Sequence, residues 1–138
     1  MEMRASRRER ILVIEDDAGM IRLLRALLEG TGYEVRAERS GTAALTGVVD
    51  TLPDLVILDL GLPDMNGYEV CRQLRQRFNP WSLPILMFTG MDKPVDQLRG
   101  FAFGADAYLT KPCDPDELLK TVALLLGHAD VECSGLPD

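Results

Sequence analysis

The chain has 138 residues, 46% hydrophobic and 27% charged, a composition that fits one globular domain with a core large enough to need no disulfide or metal staple. Its formal net charge of −7, from 15 basic and 22 acidic side chains, excludes a broad basic stripe facing phosphates, so direct nucleic-acid binding by this domain is not expected. The one basic cluster, RASRRER at 4–10, precedes the first apolar run and makes residues 1–9 read as a solvated, flexible N-terminus.

Three cysteines, Cys71, Cys113 and Cys133, show no metal-ligand spacing. No secretory segment opens the chain, and no stretch approaches the ~20 apolar residues of a membrane span. A cytoplasmic protein with reduced thiols and no membrane partner is expected. Cys71 shares a helical face with Val70, Leu74 and Phe78 and reads as core filling, whereas Cys133 belongs to a polar tail.

In chain order, the first strand is the apolar run Ile11–Ile14, which ends against Glu15, Asp16 and Asp17. Like charges about 4 Å apart repel by roughly 1 kcal/mol in water and roughly 4 kcal/mol at a protein-surface dielectric. Such a run either turns its acids apart or seats a cation between them. Asp17 suits the N-cap of a helix whose inward stripe is Met20, Leu24, Leu27 and Leu28, with Arg22, Arg25 and Glu29 opposite and Gly30 and Gly32 as its stop.

Tyr33–Ala37 reads as the second strand, and a helix with Ala44, Leu45, Val48 and Val49 inward begins near Ser40. Leu55–Leu58 is the third strand and runs into Asp59. Asp54 precedes that run, roughly 17 Å from Asp59 at about 3.3 Å per residue, so it falls at the opposite end of the sheet. A helix over about Asn66 to Phe78 follows, with Arg72, Arg75 and Arg77 toward solvent.

The fourth strand, Ile85–Phe88, leads to Thr89, and a helix follows Pro94. A short Ala107–Leu109 strand leads to Lys111, which alone among Lys93, Lys111 and Lys120 follows a strand. DPDELLKTVALLLG is the last helix, with Leu118, Leu119, Val122, Leu125 and Leu126 inward; HADVECSGLPD, 128–138, reads as a flexible tail or the start of a linker.

Continuous apolar strands alternating with amphipathic helices predict an α/β, doubly wound, mainly parallel sheet with right-handed crossovers and helices on both faces. Functional groups in such sheets gather at the carboxyl ends of the strands. The acid cluster, Asp59, Thr89 and Lys111 all stand at that rim.

The segments ILVIEDD, PDLVILDLGLPDMNGYEV, PILMFTG and GADAYLTKP occur in that order, each at a strand end. Over about 10–127 the chain resembles the receiver domains of bacterial two-component response regulators. The resemblance implies a flavodoxin-like, five-stranded sheet in the order 2-1-3-4-5. It also implies that Asp59 accepts a phosphoryl group from a sensor histidine kinase or phosphotransfer protein. The implied cofactor is Mg²⁺, with Mn²⁺ able to substitute. Its ligands would be Glu15 (directly or through a water), Asp16, Asp59 and the backbone carbonyl of Gly61, while Asp17 stays a helix cap.

Lys111 would pair with Asp59 and then with a phosphoryl oxygen, across a cis Lys111–Pro112 bond. Thr89 would donate its hydroxyl to the phosphoryl group, Gly90 would leave room for it, and Tyr108 would follow inward. The implied output surface is the fourth helix, fifth strand and fifth helix, carrying Phe101, Phe103, Tyr108 and Leu124, where an effector or a second copy in a homodimer would dock. KTVALLLG lacks the paired arginines of many DNA-binding relatives. Cys113 stands where relatives usually carry phenylalanine, and Gly61 and Met91 occupy positions that tune phosphoryl lifetime.

The expected activity is that of a regulatory phospho-acceptor, not a turnover enzyme. A receiver cut from a larger response regulator or hybrid kinase is the alternative context. A flavodoxin-like redox protein would need a phosphate cradle after the first strand, where three carboxylates stand. An aspartate-nucleophile phosphatase would need its nucleophile where Glu15 stands.

Overall fold

In the computed structural model, which describes residues 8–79 and 82–128, the apolar runs lie side by side. β1 (Arg10–Ile14), β2 (Glu34–Glu38), β3 (Leu55–Leu58), β4 (Ile85–Thr89) and β5 (Ala107–Thr110) form a sheet in the order β2-β1-β3-β4-β5. Every pairing is parallel. β1, β3 and β4 take the interior positions, and apart from Arg10 every residue in them is buried. Burial on both faces is why these strands are unbroken apolar runs.

The crossovers are α1 (Ala18–Thr31), α2 (Gly41–Asp50), α3 (Gly67–Arg77) and α4 (Pro94–Ala102), and α5 (Pro115–Leu125) follows β5. Alternate side chains of the strands feed two cores. Ile11, Val13, Ile57 and Leu86 pack with Leu24 and Leu28 of α1 and with Leu118 and Val122 of α5. Leu12, Ile14, Val56 and Leu58 pack with Ala44, Leu45 and Val48 of α2 and with Val70, Cys71 and Leu74 of α3. α4 lies over β4 and β5, close enough that a Cβ on Gly100 would stand 2.8 Å from Met87 Sδ.

Helix starts are fixed by side-chain caps that accept first-turn N–H groups. Asp17 accepts from Met20 at 2.8 Å, Ser40 from Ala43 at 3.1 Å, Asn66 from Tyr68 at 2.7 Å and Asp114 from Asp116 at 2.9 Å.

Several expectations are corrected. Gly30 lies inside α1; Gly32 alone ends it, at φ 110°, where a side chain would be strained. Val49 is exposed, outside the buried stripe of α2. Arg75 is not solvated: its side chain is 12% exposed, paired with Asp106 and bonded to the carbonyls of Gly104 and Leu83. Arg10 begins β1 and pairs with Glu34 at 3.4 Å.

Glu9 and His128, just outside the 10–127 boundary, meet at 3.1 Å, with the His128 ring stacked on Tyr33. The remaining N-terminal residues 1–7 and the tail 129–138, with Cys133, lie outside the described residues. No helix among the described residues is long and apolar enough to cross a membrane.

Candidate functional site

Strand register brings the rim together. Ile14 pairs with Leu58, so Glu15 and Asp59 leave adjacent strands side by side, and Asp59 N–H donates to the Ile14 carbonyl at 3.0 Å. Thr89 and Thr110 are partners at the ends of β4 and β5, which sets Lys111 next to that rim; its N–H donates to the Thr89 carbonyl at 2.7 Å. Residues up to 96 positions apart are thereby within side-chain reach.

Carboxylate oxygens of Glu15, Asp16 and Asp59 all lie within 4.8 Å of one another. Such a cluster of hard oxygen donors could hold a metal ion of the hard, oxygen-seeking class. Lys111 Nζ stands 2.6 Å from Glu15 Oε1 and 3.7 Å from Asp59 Oδ2. The ion pair with Asp59 that the resemblance implies is present, and a shorter hydrogen bond to Glu15 joins it. The longer glutamate side chain reaches across the rim to the ammonium, which also lies 5.6 Å from the centre of the Phe88 ring.

Glu15 is 3% exposed. Burial raises its carboxyl above the usual range, against the opposing pull of Lys111 and of the Asp17 N–H. Asp54 accepts from Arg10 N–H at 2.8 Å, at the start of β1 and far from the rim.

Gly61 is exposed beside Asp59: a Cβ there would lie 3.8 Å from Asp59 Oδ2. It also forms an antiparallel bridge with Asn66 that closes the loop before α3. Thr89 is buried, and its hydroxyl oxygen accepts a long 3.4 Å bond from Met91 N–H. A side chain on Gly90 would meet nothing within 4 Å, so no neighbouring atom dictates glycine there.

The Lys111–Pro112 peptide is cis. Tyr108 is partly buried, and its hydroxyl donates to the Met91 carbonyl at 2.7 Å. Burial raises the phenol well above its usual range, with Tyr68 the next cause. Cys113 is half-buried against α5, and burial raises its thiol too, which disfavours the reactive thiolate.

On the α4-β5-α5 face, Phe101 and Leu124 are exposed as expected, joined by Val95 and Leu98, which the sequence reading missed. Phe103 is turned inward, its ring tilted against that of Tyr68 with the centroids 5.5 Å apart.

Two further residues shape the rim. Arg39 donates to the Asp16 carbonyl through Nε at 3.1 Å and Nη2 at 2.7 Å, pinning the acid loop from the β2–α2 side. Asp64 accepts from Gly41 N–H, Thr42 N–H and the Thr42 hydroxyl, and so ties the loop after Asp59 to the start of α2. Only the fold shows either contact, because the partners are 22 to 23 residues apart.

Comparisons with known proteins place the sequence and the fold in a family. The response regulator receiver domain family matches residues 11–123. The DNA-binding response regulator MtrA of Mycolicibacterium paratuberculosis is 44% identical over 125 residues, covering 91% of this chain and 54% of the relative. The alkaline phosphatase synthesis transcriptional regulatory protein PhoP of Bacillus subtilis is 39% identical over 123 residues, covering 89% and 50%. The chain thus spans about half the length of the curated relatives it matches.

Among solved structures, a putative response regulator from Chloroflexus aurantiacus superposes with a TM-score of 0.80 at 38% identity, covering 87% of this chain and 98% of that one. The BeF3-activated receiver domain of Klebsiella pneumoniae RstA gives 0.82 at 31% identity, covering 86% and 99%. With strand order and sequence in agreement, the chain belongs to the response regulator receiver domain family.

Proposed function

We propose that this receiver is a phospho-accepting switch whose acceptor is Asp59. The phosphoryl donor is a phosphohistidine of a sensor histidine kinase or phosphotransfer protein. An Asp59 oxygen forms the new P–O bond as the donor P–N bond breaks; the imidazole keeps that electron pair and takes up a proton. A carboxylate is a weak nucleophile, so the rate rests on alignment and on neutralising the phosphoryl oxygens.

Glu15, Asp16, Asp59 and the Gly61 carbonyl are the candidate ligands for Mg²⁺, or Mn²⁺ in its place, which when bound supplies positive charge to phosphoryl and carboxylate oxygens. Lys111 moves its charge from Glu15 to a phosphoryl oxygen. Thr89 donates its hydroxyl, Gly90 leaves the approach open and Tyr108 follows Thr89. The α4-β5-α5 face then presents a changed surface to an effector or a second copy.

We assign the receiver to 10–127, the basic N-terminus to 1–9 and a tail or linker start to 128–138, in a cytoplasmic, regulatory protein without substrate turnover. The observation that carries this reading is the convergence of three carboxylates and one ammonium on a single strand-end rim. Incubation with Mg²⁺ and a small phosphodonor, followed by intact mass, is expected to show one added phosphate that Asp59→Asn abolishes. Unmodified wild-type protein, or an Asp59→Asn variant modified to the same extent, would sink the assignment.

A further inference from the structure

α3 begins against the acceptor. A Cβ on Gly67 would lie 2.5 Å from the Asp59 carbonyl oxygen and 2.6 Å from Leu60 Cα, so the helix start and the acceptor backbone are in direct contact. The next residue, Tyr68, is buried and faces α4. Its hydroxyl donates to the Asp96 carbonyl in the first turn of α4 at 3.0 Å. Its ring lies 5.7 Å under the Arg99 guanidinium and 5.5 Å from the Phe103 ring.

Asp96, Arg99 and Phe103 are spaced i, i+3, i+7 along one face of α4 and its C-cap, so a single side chain spans that whole face. Cys71 and Arg75 continue the grip from α3. The Cys71 thiol donates to the Phe103 carbonyl at 3.3 Å, and Arg75 Nε donates to the Gly104 carbonyl at 2.8 Å.

Tyr108 holds the approach to α4 as well: its hydroxyl donates to the Met91 carbonyl at 2.7 Å, just before α4, and two of its ring carbons lie 3.0 and 3.1 Å from where a Cβ on Gly100 would stand. The entry to α4 is therefore held at two carbonyls, Met91 and Asp96, by two neighbouring phenols, one from β5 and one from α3.

We propose that Tyr68 is a positioning residue of the switch, holding α4 and the Tyr108 phenol in the unphosphorylated arrangement. Movement of Tyr108 toward the rim gives up its bond to the Met91 carbonyl, and Tyr68, by fixing the first turn of α4 at Asp96, keeps that carbonyl in place to hold Tyr108 outward. Tyr68 therefore favours the resting arrangement over the switched one. This rests on the reading above, in which Tyr108 moves when Asp59 carries a phosphoryl group. Tyr68 touches neither the rim carboxylates nor Lys111, so its effect enters through the balance of two conformations and not through the transfer step.

The test is a titration of the full chain with beryllofluoride, a phosphoryl mimic, at saturating Mg²⁺. The readouts are the NMR signal of the Tyr108 ring and amide exchange at 92–97. In Tyr68→Phe, which keeps the ring and removes the hydroxyl, the midpoint is expected to fall roughly five-fold, as removing one resting-state hydrogen bond should do. Amides at 92–97 of the free variant should exchange faster while those of α1 do not.

A purely structural role would lower the melting temperature and leave the midpoint where it is, and that result overturns the proposal. So does a midpoint that rises, which would make Tyr68 a support of the switched state. A wild-type Tyr108 signal that stays still at saturating beryllofluoride defeats the underlying switch reading, and the Tyr68 proposal with it. A moving wild-type signal with an unmoved variant midpoint defeats the Tyr68 proposal alone.

Discussion

Lys111 sits between two carboxylates but is hydrogen-bonded to Glu15 alone, at 2.6 Å. The buried glutamate thus has a counter-ion, and Asp59 keeps its oxygens clear of a close donor. A second charged residue settles the loop that follows Asp59. The Thr42 hydroxyl first, then the Thr42 and Gly41 N–H groups, hold the Asp64 carboxyl down at about 2 from its ordinary 3.8. These donors favour the ionised form in the folded state only. Their contribution to stability is therefore fully present above the ordinary value and is lost as pH falls through about 2. Carboxyl-carbon NMR is expected to place the Asp64 midpoint near 2 and to return it toward the ordinary value in Thr42→Ala. A wild-type midpoint already at the ordinary value would mean that the tie to α2 does not persist in solution.

The elements were legible because their periodicities are clean: unbroken runs for the interior strands and capped stripes for the helices. What stayed hidden depends on partners far along the chain. Arg75 has the sequence context of a solvent-facing arginine, yet Asp106, 31 residues on, and the turn carbonyls beside it draw its side chain inward. Phe103 looked like part of an outer patch because nothing local announces that Tyr68, on a different helix, will pack against it. Glycine at 67 is equally silent in sequence and decisive in space. Its φ is not left-handed; the constraint is the 2.5 Å and 2.6 Å approach of Asp59 and Leu60 backbone to any Cβ placed there. Gly67→Ala is expected to lower stability by about 2 kcal/mol, the usual scale of overpacking, and to slow phosphorylation of Asp59 by shifting its backbone. Chemical denaturation and phosphodonor kinetics check the two effects, and a variant as stable as wild type would show that α3 can retreat freely.

At the scale of the molecule, the rim was readable because a parallel sheet with known strand order converts four strand ends into one place. Residues 15, 59, 89 and 111 could be assigned to that place from sequence alone. That Lys111 would also hydrogen-bond Glu15 could not be, since this depends on how the Glu15 side chain lies in the folded rim. The same convergence sets a thermodynamic demand. A chain with net charge −7 gathers three carboxylates within 4.8 Å, and one ammonium cannot neutralise all of them. A divalent cation seated there binds the folded chain and not the unfolded one, so it must raise the melting temperature by linkage. At ten times the dissociation constant the gain is about 1.4 kcal/mol, or roughly 5 °C for a domain of this size. Mg²⁺ is expected to produce that shift at millimolar concentration, whereas NaCl of equal ionic strength produces a smaller one, because screening acts on all charges and coordination on three. Asp16→Asn should remove most of the Mg²⁺-specific increment and leave the NaCl response intact. Melts that respond equally to the two salts, in wild type and variant alike, would mean that the carboxylates repel across solvent and seat no ion.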